Sequence, residues 1–285
     1  MAKYNEGFFP VGKVSPIFFR SWTPQSPKLT LVCVHGAGGN SADFNVLGER
    51  LSQNTAAGPV RVIAFDSPGS GDSPANAGVA AFMIQRMAIE RLIANTPTPM
   101  ALLASSGGAV AAFVALYAQR RTPRFGAIPV IFAEPSFGLS EPMRRYVEAC
   151  RPFFASEFRT LDDARRTWDA SPMADVAFDS DEAKVAFIRG RLRVQKTALV
   201  PATREMDPRA LKVFNLLEGK QPLKNPALVL SGGKSVHQAP YLEDVKRVLP
   251  GHATAHFQAS GHPLSLTRVE ETDAIGQFLS QQTGS

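Results

Sequence analysis

The sequence predicts an α/β protein with a mostly parallel central sheet, helices on both faces of that sheet, and an inserted helical block. Two observations lead to this prediction. Short apolar runs alternate with helical patterns from residue 29 to residue 133, as expected for buried parallel strands that are connected by helices. From about residue 136 to residue 221 the pattern is helical, and strand patterns resume after it.

The first half of the chain contains most of the predicted strands. Two short strands, at 8–11 and 16–20, are joined by a turn that contains glycine. A continuous apolar run then predicts a strand that is buried on both faces at 29–34, and further strands are predicted at 60–65, 100–104 and 128–133. Apolar residues at helical spacing predict the helices between them, at 41–53, 79–95 and 109–119.

The second half begins with the helical block. Its periodicity predicts helices and no strand, with the helices at 142–154, 161–168, 181–195 and 208–218. Strands follow at 227–230 and 253–258, and a helix at 269–279 closes the chain. We therefore predict a core made of residues 1–135 and 222–285, with residues 136–221 forming a cap over an active site.

The composition excludes several classes of protein. The 44% of hydrophobic and 20% of charged residues are ordinary for a soluble globular chain, and the basic residues behind the net charge of +6 are scattered, which argues against a nucleic-acid surface. Cys33 and Cys150 lie too far apart in the sequence to suggest a disulfide framework. With no signal-peptide pattern and no apolar run of membrane-spanning length, we expect a cytoplasmic protein without membrane or nucleic-acid partners.

The segment LLASSGGAVAAF predicts a strand, a sharp turn and a helix. Such a turn can present a nucleophile at the carboxyl edge of a sheet, provided that the residues two before and two after it are small. Ser106 meets this condition, since Ala104 and Gly108 occupy those positions. Ser105 is the less favoured alternative, because the bulky Leu103 precedes it by two. Serines that merely cap the helix are the non-catalytic interpretation.

A glycine-rich segment, HGAGGN at 35–40, follows the predicted strand at 29–34. Glycines allow backbone N–H groups to face outward and to form an oxyanion hole. We predict the N–H groups of Ala37 and Gly107 as its donors, because Gly107 also opens a helix whose N-terminus favours negative charge. The segment lacks the Gly-Lys-Ser/Thr pattern of a phosphate-binding loop.

A serine nucleophile needs a base within hydrogen-bond reach. His262 is the candidate, because it lies on a loop after the last strand, follows a glycine and precedes an amphipathic helix. Of the other histidines, His35 lies in the glycine-rich segment and His237 in a loop without further signals. His252 and His256 lie in or beside a predicted strand.

Taken in order, these motifs resemble those of the α/β-hydrolase family. They are HGAGG, then DSPGSGDS at 66–73, then the serine turn, then a late Gly-His pair before the last helix. The resemblance covers most of residues 7–135 and 222–285, and the family usually carries a variable helical cap where the inserted block lies. It is specific for the fold and much less specific for the substrate.

The resemblance also implies a third catalytic residue, an acid that orients the histidine. In the family this acid usually follows the strand after the cap, but here Ser235 or Val236 stands at that place. Some members carry the acid one strand earlier, where this chain has Glu134. We therefore expect Glu134 to be the acid, with a strand-end glutamate that lies in solvent as the alternative. Asp244 is the fallback acid, although it is predicted to lie within a helix.

The activity that the resemblance implies is hydrolysis of a carboxylic ester or lactone of a small, partly apolar substrate. The reaction would pass through an acyl-enzyme and would need no metal or organic cofactor. Haloalkane dehalogenation would require an aspartate in place of Ser106. Carbon–carbon bond hydrolysis stays open, and so does a hydrolase-like receptor with little turnover, which the missing late acid suggests. The sequence determines neither the substrate nor the choice between monomer and dimer.

Overall fold

The computed structural model describes residues 3–12, 16–53, 57–75, 81–137, 140–203, 221–236 and 239–282. Its strands are β1 Lys3–Phe9, β2 Ile17–Thr23, β3 Leu29–Val34, β4 Val60–Phe65, β5 Met100–Ser105, β6 Val130–Ala133, β7 Leu192–Gln195, β8 Ala198–Pro201, β9 Ala227–Lys234 and β10 Ala253–Gly261. Its helices are α1 Asn45–Ser52, α2 Ala81–Asn95, α3 Gly108–Ala118, α4 Pro123–Gly126, α5 Glu141–Ala155, α6 Leu161–Asp169, α7 Asp181–Gly190, α8 Ala239–Val248 and α9 Val269–Gln282. None of the described helices combines the length and the apolarity needed to cross a membrane.

The main sheet has the strand order β1-β2-β4-β3-β5-β6-β9-β10. The pairs β1–β2 and β2–β4 are antiparallel, and every pair from β4 to β10 is parallel, so the predicted mostly parallel sheet is confirmed. Because β3 lies between β4 and β5, the chain proceeds in opposite directions from this strand. Such a switch point opens a crevice at the carboxyl ends of the strands, where ligands bind in open α/β sheets.

The core packs against both faces of the sheet. Leu31 and Cys33 of β3 belong to the cluster that contains residues of α1 and α9. Val32 and Val34 belong to the opposite cluster, which contains residues of α2 and α3. A strand buried on both faces has no polar side to alternate with, so its sequence is a continuous apolar run. For this reason the limits of β3 and β4 were predicted to the residue.

The inserted segment, residues 136–221, has an apolar cluster of its own around Phe153 and Trp168. Helices α5, α6 and α7 lie close to their predicted positions, and the helix predicted at 208–218 lies outside the described residues. The prediction of a helix up to residue 195 was wrong. After Gly190 the chain forms the antiparallel pair β7–β8 instead, turning at Lys196 with a φ angle of 55°. Four residues per strand were too few to show a clear alternation in the sequence.

Candidate active site

Ser106 is the first residue after β5, and its backbone has a left-handed conformation with a φ angle of 47°. This conformation costs a residue with a β-carbon about 1–2 kcal/mol, so neighbouring groups must hold it. The N–H of Ser106 donates to the carbonyl of Ala133 at 2.9 Å, and the carbonyl of Ser106 accepts from the N–H of Ser136 at 3.1 Å. The chain thus turns sharply into α3 and presents the Ser106 side chain at the carboxyl edge of the sheet.

The glycines around this turn are required by close packing. A β-carbon at Gly108 would lie 2.6 Å from the carbonyl oxygen of His35, and one at Gly36 would lie 2.7 Å from the β-carbon of Ser106. Neither a carbonyl oxygen nor a β-carbon can withdraw as the end of a flexible side chain can, so neither position tolerates a larger residue. Gly108 is the small residue that the sequence argument required two positions after Ser106. The backbone that it packs against is that of His35, the first residue of the glycine-rich loop.

Three side chains from distant parts of the chain meet at this edge. The Oγ atom of Ser106 lies 3.0 Å from Nε2 of His262, and Nδ1 of His262 lies 3.2 Å from Oε2 of Glu134. The three residues directly follow β5, β10 and β6, and parallel strands end at a common edge. The His262 side chain is 4% exposed and that of Glu134 is fully buried. The structure therefore brings together the serine, the histidine and the carboxylate that the sequence pointed to.

Glu134 is held by two further donors. Its Oε1 accepts from the N–H of Gly232 at 2.6 Å, and its Oε2 accepts a short hydrogen bond from the hydroxyl of Ser235. The residue has a φ angle of 49°, and its own N–H donates to the carbonyl of Leu230 at 2.9 Å. Ser235, at the place where the family usually has the acid, thus donates to the acid that follows the neighbouring strand. A buried carboxylate needs such donors to offset its lost hydration.

The two alternative residues lie elsewhere. Ser105 is the last residue of β5, where its backbone pairs with Ala133, and the hydroxyl that meets the imidazole is that of Ser106. Asp244 lies within α8, as predicted, and its side chain is outside the part of the chain that the structure describes. The carboxylate that contacts His262 is that of Glu134.

His35 orients the glycine-rich loop. The N–H of Ser67 donates to Nε2 of His35 at 2.9 Å, so the hydrogen of the neutral ring is on Nδ1. That Nδ1 lies 2.7 Å from the carbonyl oxygen of Gly36 and donates to it. Burial lowers the pKa of His35, against an opposing effect of the Asp66 carboxylate, and favours the neutral ring that this arrangement needs.

The position of the Gly36 carbonyl determines where the N–H of Ala37 points. Both groups belong to one planar trans peptide, so they point in opposite directions. The carbonyl of Gly36 accepts from His35 and, at 3.2 Å, from the N–H of Gly39. A β-carbon at Gly107 would lie 3.7 Å from the nitrogen of Ala37, so both predicted donors border the same space. Among the described residues, none accepts a hydrogen bond from either N–H group.

Two side chains at the site escaped the sequence analysis. Tyr146 of α5 donates a short hydrogen bond to the carbonyl of His262, and its ring lies edge-on to the imidazole with 5.3 Å between centroids. Burial raises the pKa of Tyr146 well above its ordinary value, so the phenol keeps its proton. The Oγ atom of Ser136 lies 3.4 Å from that of Ser106. Nothing in a single helical stripe distinguishes a tyrosine that faces the site from one in the core.

The loop that carries His262 is anchored by a buried carboxyl group. Glu271 of α9 accepts hydrogen bonds from Ser260 at 3.1 Å and from Ser265 at 3.2 Å, which bracket His262 in the sequence. Glu271 is fully buried. Burial raises its pKa from 4.5 to about 7, although hydrogen bonds from the two serines oppose this effect.

Glu271 makes stability depend on pH. The folded state holds the Glu271 proton up to about pH 7, whereas the unfolded chain releases it near pH 4.5. The tighter binding of this proton in the folded state adds about 3 kcal/mol to the free energy of unfolding below about pH 4.5. This stabilisation is lost as the pH rises through about 7. Glutamine cannot ionise, so the Tm of Glu271→Gln relative to the wild type should increase by roughly 5 °C between pH 5 and pH 8.

Thermal unfolding at pH 5, 6, 7 and 8 measures this difference. The matched control is Glu270→Gln, because Glu270 is a half-exposed neighbour that pairs with Arg268. Its Tm difference from the wild type should be the same at each pH. A constant difference for Glu271→Gln would contradict the prediction.

The described residues contain no group of three or more His, Cys, Asp or Glu side chains placed to hold a metal ion. The polar groups of Ser106, His262 and Glu134 are a hydroxyl, an imidazole and a carboxylate, and the N–H groups of Ala37 and Gly107 lie beside them. Together they can take a proton from Ser106 and stabilise negative charge on an oxygen beside it.

A model of the alpha/beta hydrolase family matches residues 31–275. No curated protein matches the chain significantly. Among solved structures, an alpha/beta hydrolase from Novosphingobium aromaticivorans is 20% identical, with a TM-score of 0.68 over 99% of this chain and 99% of that one.

Two further structures carry names that state an activity. A thioesterase domain from the curacin biosynthetic pathway is 19% identical, with a TM-score of 0.67 over 97% of this chain and 99% of that one. An esterase from Mycobacterium tuberculosis is 14% identical, with a TM-score of 0.67 over 99% of this chain and 92% of that one. At such identities the similarity establishes a common fold.

Proposed function

The chain belongs to the alpha/beta hydrolase family, and from this premise we propose that it is a serine hydrolase for carboxylic esters or lactones. The observation that supports this most directly is the continuous contact from the Ser106 hydroxyl through His262 to the buried Glu134. The esterase and thioesterase names among proteins of similar fold agree with acyl transfer as the reaction class.

The proposed reaction begins with attack of the Ser106 oxygen on the acyl carbon. His262 takes the serine proton at Nε2, and Glu134 stabilises the resulting imidazolium through Nδ1. The acyl oxygen, on which negative charge develops, accepts hydrogen bonds from the N–H groups of Ala37 and Gly107. His262 then gives its proton to the leaving alcohol, and an acyl-enzyme remains on Ser106.

Water completes the cycle. His262, neutral again, takes a proton from a water molecule, whose oxygen attacks the acyl carbon. The tetrahedral intermediate collapses, the carboxylic acid leaves, and Ser106 regains its proton from His262. Each step uses groups of this chain and water.

We propose that the inserted segment, residues 136–221, acts as a cap on a core of residues 1–135 and 222–285. Two contacts support this. Tyr146 of α5 lies against His262, and the ring of Phe154 lies so close to Gly38 that a β-carbon there would be 2.6 Å from it. Aromatic side chains from this segment therefore border both the imidazole and the glycine-rich loop, residues 35–40, which is called the oxyanion loop from here on. This arrangement suits a substrate that is small and partly apolar.

Labelling and turnover test the proposal together. The wild-type protein is incubated with a fluorophosphonate probe and with p-nitrophenyl esters of two to eight carbons, a thioester and a γ-lactone. We expect a covalent adduct on Ser106 in the peptide digest and p-nitrophenol release above the rate without protein. Absence of both would reject the hydrolase and favour a receptor-like binding protein.

The receptor alternative arose because no acid follows β9. Glu134 supplies a carboxylate to the imidazole from β6 instead, so this reason no longer favours the alternative. Carbon–carbon bond hydrolysis uses the same serine arrangement. It would appear as labelling of Ser106 without turnover of any ester, thioester or lactone in the panel.

A further inference from the structure

Arg191 is a buried cation that the proposed reaction does not use. It follows α7, and its side chain is 5% exposed. Its Nη2 lies 2.8 Å from Oδ2 of Asp43, which belongs to the short turn after the glycine-rich loop. The guanidinium also lies 4.6 Å from the ring centre of Phe187 and 5.7 Å from that of Trp168. Arg191 therefore joins the aromatic core of the inserted segment to the loop that carries Ala37.

The same boundary carries three more hydrogen bonds. Nη1 of Arg191 lies 3.4 Å from the carbonyl oxygen of Gly38, and the hydroxyl of Thr203 donates to the carbonyl of Gly39 at 3.1 Å. In the opposite direction, the amide of Asn40 donates to the carbonyl of Gly190 at 3.0 Å. Two successive carbonyls of the oxyanion loop are thus held by donors from the inserted segment.

The fit leaves the loop little room. A β-carbon at Gly39 would lie 2.3 Å from Oδ2 of Asp43, so the carboxylate of the ion pair is packed directly against the loop backbone. The N–H of Gly39 donates to the carbonyl of Gly36. That carbonyl determines the direction of the Ala37 N–H, because the two groups belong to one planar peptide. A shift of the ion pair would therefore be transmitted to the Ala37 N–H through two peptide units.

The ion pair is poorly arranged for stability alone. Nε of Arg191 and Oδ1 of Asp43 are buried and have no hydrogen-bond partner among the described residues. Burial also raises the pKa of Asp43, and the nearby Arg191 only partly opposes this effect. Apolar residues of similar volume usually replace such a pair without loss of stability. Orientation of the oxyanion loop is a reason for a charged pair, Arg191 and Asp43, at this position.

We propose that Arg191 is a positioning residue for the oxyanion hole. Through the Gly38 carbonyl and Asp43, it holds the loop in the form that directs the Ala37 N–H toward the acyl oxygen. This inference rests on the proposed function. It adds that the rate of hydrolysis depends on a residue of the inserted segment. A donor displaced by about 1 Å can cost roughly 100-fold in rate.

Kinetics of four proteins test the inference. Arg191→Met keeps the volume and removes the donors, Arg191→Lys keeps the charge, and Arg189→Met is the matched control, since Arg189 is an exposed residue of α7 two positions before Arg191. With the best ester of the panel, kcat of Arg191→Met should fall about 100-fold while KM changes less than about threefold. Arg191→Lys should lie between, and the control should equal the wild type. Unchanged kcat in Arg191→Met would overturn the inference.

A double variant separates positioning from folding. Removing one partner of a buried pair leaves an unpaired charge and lowers the Tm, whereas removing both should largely restore it. Arg191→Met with Asp43→Asn should therefore recover the Tm but keep the low kcat. Recovery of both quantities would show that the pair serves stability only.

Hydrogen exchange supplies a readout that does not depend on activity. Backbone N–H groups of residues 36–43 should exchange at least about tenfold faster in Arg191→Met than in Arg189→Met. Equal exchange would contradict the inference, even in a protein that hydrolyses nothing. If the wild type shows no adduct on Ser106 but exchange differs, the proposed function fails while the loop coupling stands.

Discussion

Ser106→Ala should abolish ester turnover, with a fall in kcat by a factor on the order of 10⁶, whereas Ser105→Ala should retain activity within about tenfold. The hydroxyl of Ser106 lies 3.0 Å from Nε2 of His262, and the strained backbone at this residue holds it there. Without it no acyl-enzyme can form, and only the oxyanion hole and substrate binding would accelerate attack by water. Initial rates with p-nitrophenyl esters measure both variants.

Ser105→Ala is the matched control for this experiment, since it removes a serine hydroxyl from the preceding residue, the last of β5. Circular dichroism and Tm show whether both variants fold. The fluorophosphonate adduct should disappear in Ser106→Ala and persist in Ser105→Ala. The reverse pattern would assign the nucleophile to Ser105 and would contradict the steric argument from Ala104 and Gly108.

Glu134→Gln should lower kcat by roughly 10²–10⁴-fold. The substitution keeps the shape of the side chain but removes the charge that stabilises the His262 imidazolium. An amide that presents its NH₂ group to Nδ1 would also favour the wrong tautomer of the ring. The loss should appear in kcat rather than in KM, because the imidazolium forms only as the reaction proceeds.

Ser235→Ala tests the support of this carboxylate. Ser235 donates to Glu134 and does not act on substrate in the proposed mechanism, so its loss should lower kcat by about tenfold or less. The Tm of each variant is measured alongside, because Glu134 is fully buried. A wild-type kcat in Glu134→Gln would remove this residue from the mechanism. Asp244→Asn would then be the next variant to measure.

The course of the core strands could be predicted because their physical requirements are local. A strand between two layers of helices carries mostly apolar side chains, and β3 and β4 show this directly in the sequence, with one polar residue each, Thr30 and Arg61. The same holds for the turn at Ser106, where small residues must follow one another. The hairpin of β7 and β8 lacked such a signal. Its strands have four residues each, and their pattern was compatible with a helix that continued beyond Gly190.

In the candidate site, too, some residues could be predicted from local sequence signals and others could not. Ser106 and His262 stand out because a sharp turn and a Gly-His pair after a strand are readable in a few residues. Glu134 could be proposed only after its place at the edge of the sheet was considered. The roles of Tyr146 and Arg191 were not predictable from the sequence. Each depends on contact with a residue more than a hundred positions away, His262 or Asp43.

The sequence by itself therefore determined the alternation of strands and helices, the edge at which the strands end, and the residue types available there. Only the tertiary structure decided that Glu134 rather than a residue after β9 meets the imidazole, that Tyr146 contacts His262, and that Arg191 contacts Asp43. The physical reason is the range of the forces involved. Hydrophobic periodicity and backbone sterics act between near neighbours in the chain. Hydrogen bonds and ion pairs at a site join whichever groups the packing of the whole molecule brings within about 3 Å.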